Sequence, residues 1–408
     1  MSSQGLLSVE KALEQIVSCA VPRLETCILP LAQCLGRYLA TDLIAQHSQP
    51  PFRSSAMDGY AVRSADISSI PSQFKLIGES AAGKGFKGTI GSQEAIRIYT
   101  GAPVPDSADM VIMQEDTESA DGFVTILQPQ TKTNIRDAGT DFKTGQVLLS
   151  KGQKLDGRHI GLAAAAGFFE LTVFQPLNIA ILATGDELAL PGSHRQEDQI
   201  FSSNSYAIKA LIEQHGGNVI DLGIAKDNKA SLEAALTHLK TQKVDILITM
   251  GGVSVGDYDL VQPVLIENGM SSEFWRVAVR PGKPLMFGKL GDTLVFGLPG
   301  NPVSAYITCL LFVVPAIKSM NHVANAGHIQ TELCILGADL PANGERQDNL
   351  RAKLSFNKNG KLVATPFASQ DSSLLSILSQ ADALIVREPF EAPLKAGSFC
   401  KIIRLSEL

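Results

Sequence analysis

The feature that most restricts the fold of this 408-residue chain is an alternation of apolar strands and amphipathic helices between residues 177 and 327. Strand-like runs such as NIAILAT (178–184) and VDILITM (244–250) are each followed by a loop, and helical patterns such as SYAIKALIEQHGG (205–217) come between them. Strands that are apolar throughout are buried on both faces, which is typical of a parallel sheet covered by helices. The sequence therefore predicts a doubly wound α/β domain within an α/β multidomain protein.

The rest of the chain changes its pattern, which indicates further domains. A capped helix begins after Ser8, and from residue 50 short alternating runs such as EAIRIYTG (94–101) are separated by Gly, Pro and Asp. That texture is typical of a β-rich module. The Asn-Gly turn in NKNGK (357–361) predicts a hairpin near the C-terminus. We predict a discontinuous N-terminal domain (1–49 and 146–176), an inserted β-rich module (50–145), the α/β domain (177–327) and a C-terminal β domain (328–408).

Composition narrows the possible functions. The formal net charge of −6 argues against nucleic-acid binding through a basic surface, and the spacing of the six cysteines does not suggest a zinc site. The N-terminus lacks the basic and apolar regions of a signal peptide. The most apolar segment, AYITCLLFVVPAIKSM (305–320), contains Pro315 and is expected to be too short to span a bilayer. We predict a cytoplasmic protein with neither nucleic acid nor membrane as a partner.

Unusual residues follow four of the predicted strands. Ligands of open α/β sheets bind beyond the carboxyl ends of the strands, so these loops are the expected site. In PGNPVS (299–304), Asn301 suits a helix N-cap and Pro302 the first helical position, which leaves Ser304 in a first turn that favours an anion. A plain capped helix is the alternative for that motif. The other loops contain Asp186 and Glu187 in TGDEL, Asp227 in KDN, and Ser254, Asp257 and Asp259 in GGVSVGDYD.

Three cations lie close together in FWRVAVRPGKPLMFG (274–288). Arg276 and Arg280 are expected to share one face of a strand because they are four residues apart, and Lys283 follows in a turn. They could protect an exposed sheet edge. Beside the acidic loops, they are better explained as clamps for a polyanion. Mg²⁺ usually takes one or two carboxylates plus substrate phosphates, so Asp257, Asp259 or Asp227 would hold it.

The inserted module has stretches rich in small and polar residues around Asp58, Thr100, Arg136 and Asp141. Spacing alone gives these residues neither a nucleophile–base pair nor a metal site.

Seven motifs, in this order, resemble one family: SAMDGYA, TGAPVPDSAD, NIRDAGTDF, TGDEL, GGVSVGDYD, RPGKP and GLPGNPVSAY. The chain resembles the molybdopterin molybdenumtransferases of molybdenum-cofactor biosynthesis, which are related to the E domain of gephyrin. The resemblance covers nearly the whole chain. It implies insertion of molybdate into adenylated molybdopterin, with Mg²⁺ and release of AMP. It also implies a homodimer whose active site lies between the α/β domain of one subunit and the inserted module of the other.

With the loops and cations above, the resemblance gives a set of site residues. The residues predicted to be catalytic are Asp58, Asp141, Glu187, Asp227 and Asp259. The metal is predicted to bind to Asp257, Asp259 or Asp227. Arg351 in NLRAKL and Ser372 in SQDSSLLS match C-terminal positions associated with molybdate. The full set predicted to bind substrate is Thr100, Arg136, Asp186, Ser254, Arg276, Arg280, Lys283, Pro299, Pro302, Ser304, Arg351 and Ser372.

A non-catalytic reading is the alternative, because the gephyrin E domain also serves as a dimeric scaffold that binds peptides. A scaffold would not need the acidic and basic sets intact together, and both are intact here. Other molybdenum-cofactor biosynthesis proteins are further candidate partners. The chain departs from the family at Arg276, where relatives often have Lys, at Thr140, where they often have Glu, and at Asp371, whose charge lies beside the predicted oxyanion site.

Overall fold

The first helix begins where the sequence places its cap. The computed structural model describes residues 6–239, 242–252 and 260–405. Helix α1 (Val9–Cys19) has Ser8 as N-cap, and the Ser8 hydroxyl accepts a hydrogen bond from the Lys11 N–H at 3.2 Å. Strands β1 (Thr26–Pro30) and β2 (Leu43–Ile44) follow. The apolar face of α1 packs into the same core as the α/β sheet described below.

The segment 50–145 consists of short strands. Six of them form a mixed sheet in the order β7-β4-β6-β5-β9-β8, and β3 pairs with β10. At Gly59 a methyl group would lie 1.8 Å from the carbonyl oxygen of Ile112, so only glycine allows β4 and β7 to approach this closely. The strands are β3 (Ser54–Ser55), β4 (Gly59–Val62), β5 (Ser72–Ser80), β6 (Glu94–Ile98), β7 (Met110–Met113), β8 (Thr117–Ala120), β9 (Phe123–Ile126) and β10 (Ile135–Arg136).

The chain then returns to its N-terminal part. Strand β11 (Val147–Leu149) pairs with β2, and β12 (Glu170–Phe174) pairs with β1, both antiparallel. Between them lies α2 (Gly157–Ala165), and Asp156 and His159 form a capping box at its N-terminus. Residues on both sides of the 50–145 segment therefore share one small core. The boundaries of the four predicted domains stay predictions.

A six-stranded sheet in the order β16-β13-β17-β21-β20-β18 forms the centre of the α/β region. The first four strands are parallel, and β20 is antiparallel to both of its neighbours, β21 and β18. Its elements are β13 (Asn178–Thr184), β14 (Leu188–Ala189), β15 (Ile200–Phe201), α3 (Asn204–Gln214), β16 (Asn218–Ala225), α4 (Lys229–Leu239), β17 (Ile246–Met250), α5 (Val261–Glu267), β18 (Ser271–Arg276), β19 (Val279–Arg280), β20 (Pro284–Leu290), β21 (Thr293–Leu298), α6 (Pro302–Thr308) and α7 (Val314–Met320).

Strand β13 demonstrates why the sheet is doubly wound. Ile179 and Ile181 belong to a core cluster on one face, and Ala180 and Leu182 belong to a cluster on the other. Helices cover both faces, which explains why the strand is apolar at every position. The predicted fold class is confirmed.

One predicted strand is wrong. Arg276 and Arg280 do not lie on a single strand, because β18 ends at Arg276 and β19 pairs in parallel with a strand of the C-terminal sheet. Between them, Val277 and Ala278 are buried as the chain passes from one sheet to the other.

The apolar segment that was expected to be too short for a membrane is in fact longer. Helix α6, a π-helical stretch (309–313) and α7 run on from Pro302 to Met320, 19 residues that could cross a membrane by length and composition. In the structure, 83% of this stretch is buried inside the protein. Pro315 does not end the run, because it directly follows the π-helical stretch, where the regular α-helical hydrogen bonding is already interrupted. The run is a core helix.

The C-terminal strands close into a barrel-like sheet. Its order is β19-β23-β24-β22-β26-β25, and a further pairing joins β23 to β25. The predicted Asn-Gly hairpin is confirmed, because Phe356 pairs with Leu362 across the 357–361 turn. The elements are β22 (Glu332–Leu336), β23 (Gln347–Phe356), β24 (Leu362–Pro366), α8 (Leu375–Leu378), β25 (Ala383–Arg387) and β26 (Phe399–Arg404).

A buried histidine should make the fold sensitive to acid. His215, at the end of α3, is 1% exposed, and neither ring nitrogen has a hydrogen-bond partner within the described ranges. Burial lowers its pKa from 6.5 to about 3, helped by Lys154 and Lys318. Below pH 6.5, His215 is protonated in the unfolded chain but stays neutral in the folded chain. The folded state is therefore progressively destabilised as the pH falls towards 3.

We expect the free energy of unfolding of wild type to fall by about 1.4 kcal/mol per pH unit more steeply than that of His215→Met between pH 6 and 4. Urea titrations at several pH values would measure both slopes. His194→Gln, which alters an exposed histidine, should keep the wild-type slope. Equal slopes for wild type and His215→Met would contradict the assignment.

Candidate active site

A cavity of about 650 Å³ opens at the carboxyl ends of the parallel strands. Because β16, β13, β17 and β21 lie side by side and parallel, the loops that follow them meet at one edge. All four loops contribute to the lining, through Gly185, Glu187, Asp227, Gly251, Gly252 and residues 299–302. The structure thus brings together the loops that the sequence analysis selected, as far as they are described.

Two aspartates are held next to each other at this edge. The Asp186 N–H donates a hydrogen bond to Oδ2 of Asp227, and the Asp227 N–H donates one to Oδ1 of Asp186, both with N···O distances of 3.4 Å. Glu187 folds back over Gly185, where a methyl group would lie 2.3 Å from its Oε2. Three acids therefore crowd two loops.

The residues present fit a partly protein-bound Mg²⁺. Ser254, Asp257 and Asp259 lie outside the described residues. Within the described ranges, no group of three Asp, Glu, His or Cys side chains is arranged to hold a metal. Mg²⁺ needs fewer, since one or two carboxylates and the substrate phosphates usually suffice. Asp186 and Asp227 meet that requirement.

Glycines let two loops approach closely. Gly251 and Gly252 have φ values of 93° and 62°, in the left-handed region. A methyl group at Gly251 would lie 2.6 Å from the carbonyl oxygen of Thr184, and one at Gly252 2.5 Å from Cγ2 of Val261. Glycines follow β17 because a side chain at Gly251 would clash with the end of β13, and one at Gly252 with the start of α5.

The start of α6 is covered by the C-terminal domain. Asn301 is the N-cap and Pro302 opens the helix, as predicted. The Asn301 side chain does not cap the helix, however; its Nδ2 donates to Oγ of Ser372 at 2.9 Å, and the Val303 N–H donates to the Ser372 carbonyl at 3.1 Å. Ser304 is buried in the first turn. Ser372 therefore lies directly at the predicted anion site.

Arg351 is the largest fully buried side chain in the described chain, at 1% exposure. The backbone N–H of Arg351 donates to Oε1 of Gln370 at 3.0 Å, and its Nε donates to the same oxygen at 3.4 Å. The Nη1 of Arg351 donates to the Leu374 carbonyl at 3.3 Å. Its Nη2 has no hydrogen-bond partner among the described residues. Burial lowers the pKa of the guanidinium, and Asp371 acts in the opposite direction. Residues 370–374 thus link Arg351 to Ser372.

Asp371, at which the chain departs from the family, is hydrogen-bonded to a neighbouring serine. Oδ1 of Asp371 accepts from the N–H and the hydroxyl of Ser373, at 2.8 and 2.7 Å. These bonds, the first of them most strongly, lower the pKa of Asp371, and Arg351 adds to the effect.

The three predicted cations have different environments. Arg280 forms an ion pair with the buried Asp348 of β23, so it joins the α/β region to the C-terminal domain. Arg276 and Lys283 are exposed and have no ion pair within the described part of the chain. The Pro-Gly-Lys turn packs on α6, since a methyl group at Gly282 would lie 2.2 Å from Cγ2 of Thr308. Lys283 therefore lies close to α6, and the next residue lines the cavity.

The predicted residues of the inserted module form a separate group. Oδ1 of Asp58 accepts from the N–H and the hydroxyl of Thr100, both at 2.7 Å, and these bonds lower the pKa of Asp58. Arg136 pairs with Ser54 at the β3–β10 ladder, and the Asp141 N–H donates to the Gln49 carbonyl at 2.9 Å. None of these four residues is among the described residues that line the cavity.

The sequence analysis missed part of the lining. Ile200, Phe201 and 202–204 come from a short strand and the start of α3, and Nδ2 of Asn204 donates to the Gly300 carbonyl at 2.7 Å. The only signal was the stretch QIFSSNS (199–205), where apolar residues precede Ser and Asn at a predicted helix start.

Comparisons with known proteins agree along the whole chain. Three family models match: MoeA N-terminal region (domain I and II) at residues 7–167, probable molybdopterin binding domain at 180–319, and MoeA C-terminal region (domain IV) at 334–405. A molybdopterin molybdenumtransferase from Haemophilus influenzae is 36% identical over 375 residues, 91% of this chain and 92% of that protein. This chain belongs to the molybdopterin molybdenumtransferase family. The family recognised from the seven motifs is thus confirmed, and so is the prediction of an enzyme.

Further family members support the same assignment. The molybdopterin molybdenumtransferase of Bacillus subtilis is 33% identical over 392 residues, which cover 94% of this chain and 90% of that protein. The crystal structure of a molybdopterin biosynthesis MoeA protein from Pyrococcus horikoshii OT3 superposes with a TM-score of 0.82 at 26% identity, over 98% of this chain and 99% of that one. The molybdenumtransferase fold therefore extends over all four predicted segments.

Proposed function

We propose that this enzyme acts in molybdenum-cofactor biosynthesis, inserting molybdate into adenylated molybdopterin and releasing AMP. The observation that carries the proposal is a cavity of about 650 Å³ whose lining includes Glu187 and Asp227, with the exposed Lys283 directly before the lining residue Pro284. Anionic substrate, anionic metal oxide and anionic product all need such a mixed site.

The carboxylates at the cavity edge are proposed to hold Mg²⁺ at the phosphoanhydride of the substrate. Asp186 and Asp227, with Asp257 or Asp259, would hold Mg²⁺ there. A bound Mg²⁺ supplies charge stabilisation for the departing AMP. The protein's own contribution is to keep two carboxylates adjacent through their reciprocal backbone contacts, so that the site is formed before the substrate arrives.

Molybdate is proposed to bind where Lys283, Arg351, Ser372 and the start of α6 converge. A tetrahedral dianion requires cations and N–H or O–H donors. Arg351 has an unused Nη2, and Ser372 lies against the helix start. Asp371, the nearest acid in sequence, already accepts two hydrogen bonds from Ser373. Arg276 is left for the phosphates, whereas Arg280 is engaged by Asp348.

The active site is further proposed to be shared in a homodimer. Asp58, Thr100, Arg136 and Asp141 line no part of the described cavity, although Asp58 is fixed in place by two hydrogen bonds from Thr100, which lower its pKa. A second copy of the chain could supply them to the cavity, and a two-fold dimer would complete two sites at once. All six cysteines are unpaired, which supports a reducing, cytoplasmic location.

Reconstitution tests the function directly. The purified protein, adenylated molybdopterin and Mg²⁺ should release AMP in proportion to added molybdate, and the pterin product should contain one molybdenum per AMP released. If AMP release is independent of molybdate and the product contains no molybdenum, the proposed reaction is wrong.

Lys283→Ala should weaken the use of molybdate by about one to two orders of magnitude, because a charge-assisted hydrogen bond contributes roughly 1.5–3 kcal/mol. High molybdate should restore much of the rate, and binding of the adenylated pterin should change less. The matched control is Lys361→Ala, at an exposed position in the 357–361 turn. A loss of pterin binding without rescue by molybdate would move Lys283 to the nucleotide site.

A further inference from the structure

We propose that Phe201 is the surface on which the pterin ring of the substrate stacks, with Glu187 accepting hydrogen bonds from the edge of that ring. The inference rests on the proposed function and deepens it, because it identifies which part of the substrate occupies which part of the cavity.

Phe201 is an aromatic side chain without a packing reason for its position. It is 47% exposed, and it belongs to no buried core cluster and no aromatic pair among the described residues. It is also the sole aromatic residue among the described residues that line the cavity. A half-exposed ring at the wall of a ligand-sized cavity is a surface for a planar ligand.

The backbone around Phe201 holds the ring in place. Strands β14 and β15 form a parallel ribbon in which Phe201 lies opposite Ala189, so a small side chain supports the large one. The Ile200 N–H donates to the Glu187 carbonyl at 2.8 Å, and the Ser202 N–H donates to the Ala189 carbonyl at 2.9 Å. These bonds fix the ribbon on either side of the ring, which lowers the entropy that binding would cost.

Glu187 lies next to this ribbon. It is the turn residue directly before β14, and its carbonyl accepts the N–H of Ile200, the neighbour of Phe201. Both residues line the cavity. Oxygens of the Glu187 carboxylate accept no hydrogen bond from the described residues, so they are available to a ligand. A stacking ring thus lies beside a free acceptor.

That pair of groups distinguishes a pterin from an adenine. The amino-oxo edge of a pterin carries two neighbouring N–H donors, which one carboxylate can accept together. Adenine offers its amino group between two ring nitrogens that are acceptors, and a carboxylate would repel those. The pterin therefore belongs on Phe201, and the AMP portion lies towards Asp186 and Asp227. Glu187, predicted above as a catalytic acid, then also holds the substrate.

Separate binding of the two halves of the substrate tests the assignment. Isothermal titration of the full-length protein with molybdopterin and with AMP would be compared for wild type, Phe201→Ala, Phe201→Tyr and Glu187→Gln, under anaerobic conditions. We expect Phe201→Ala to weaken molybdopterin binding about 10- to 100-fold, the usual effect of losing a stacked ring, and to leave AMP binding unchanged. Phe201→Tyr should retain binding, and Glu187→Gln should weaken molybdopterin alone.

A spectroscopic readout separates stacking from a merely structural effect. Stacking quenches pterin fluorescence, so the quenching seen with wild type should be lost in Phe201→Ala and kept in Phe201→Tyr. The control is Tyr206→Ala, which removes another exposed ring (57%) from α3 outside the cavity lining. Thermal melts would verify that every variant folds.

Two outcomes overturn the inference. A fall in AMP binding instead of molybdopterin binding would place the adenine on Phe201, and unchanged binding of both would leave the ring without a ligand. Neither assay needs turnover. A protein that binds molybdopterin through Phe201 and yet releases no AMP with molybdate would refute the proposed function and leave this inference standing.

Discussion

Replacing Asp227 by asparagine is expected to slow AMP release by about two to three orders of magnitude while the fold stays intact, as removal of a preorganised charge from an active site does. The side chain is exposed, so stability should change by less than about 0.5 kcal/mol. Asparagine keeps an oxygen for the Asp186 N–H, so the loop keeps its geometry. What it loses is the negative charge, and with it the affinity for a divalent cation.

Single-turnover AMP release at several Mg²⁺ concentrations would measure this effect. The defect should be largest when Mg²⁺ is limiting, and a chelator should slow wild type to a similar rate. Asp292→Asn is the matched control, because Asp292 is an exposed acid in the turn between β20 and β21, at the opposite end of the sheet from the cavity. An Asp227→Asn rate equal to wild type at limiting Mg²⁺ would show that this carboxylate holds no metal.

The sheet edge was predictable because local pattern and topology together determine it. Apolar runs of strand length identify β13, β17 and β21 without knowledge of their neighbours. Once the strands are parallel, their carboxyl ends must meet, and so must Glu187, Asp227 and the 299–302 loop. Side-chain chemistry and sequence position were enough to select these residues.

Contacts between distant segments could not be predicted in this way. Arg280 and Asp348 are 68 residues apart, and nothing in either local sequence indicates that they pair. The same holds for the transfer of the chain from one sheet to another at Val277 and Ala278, where buried small and branched residues look like an ordinary strand.

The molybdate site is the clearest case of this limit. Arg351 and Ser372 entered through resemblance to a family, and no spacing argument connects either of them to α6. The structure supplies the link through residues 370–374, which place Ser372 on Asn301 and Arg351 beside Leu374. Phe201 escaped notice for a related reason: a two-residue strand has no periodicity to detect.

Mixing two inactive variants should restore activity if the site is shared between subunits. Asp58→Ala damages the inserted module, and Asp227→Asn damages the cavity edge. In a dimer that contains one chain of each kind, one site combines both defects and the other combines two intact halves. Random pairing makes half of the dimers mixed, so co-refolded equal amounts should recover about a quarter of wild-type activity.

The choice of variants decides between a shared site and a site within one chain. If Asp58 and Asp227 served the same site of a single chain, each chain of a mixed dimer would still contain one defect, and activity would stay at the level of the separate variants. Asp58→Ala mixed with Arg136→Ala is the matched control: both changes lie in the inserted module, so a shared site predicts no recovery from that pair. Recovery in the first mixture and none in the second would require that the Asp58–Thr100 group of one subunit completes the cavity of the other. This would explain why Thr100 fixes the Asp58 carboxylate with two hydrogen bonds in a region that lines no part of its own described cavity.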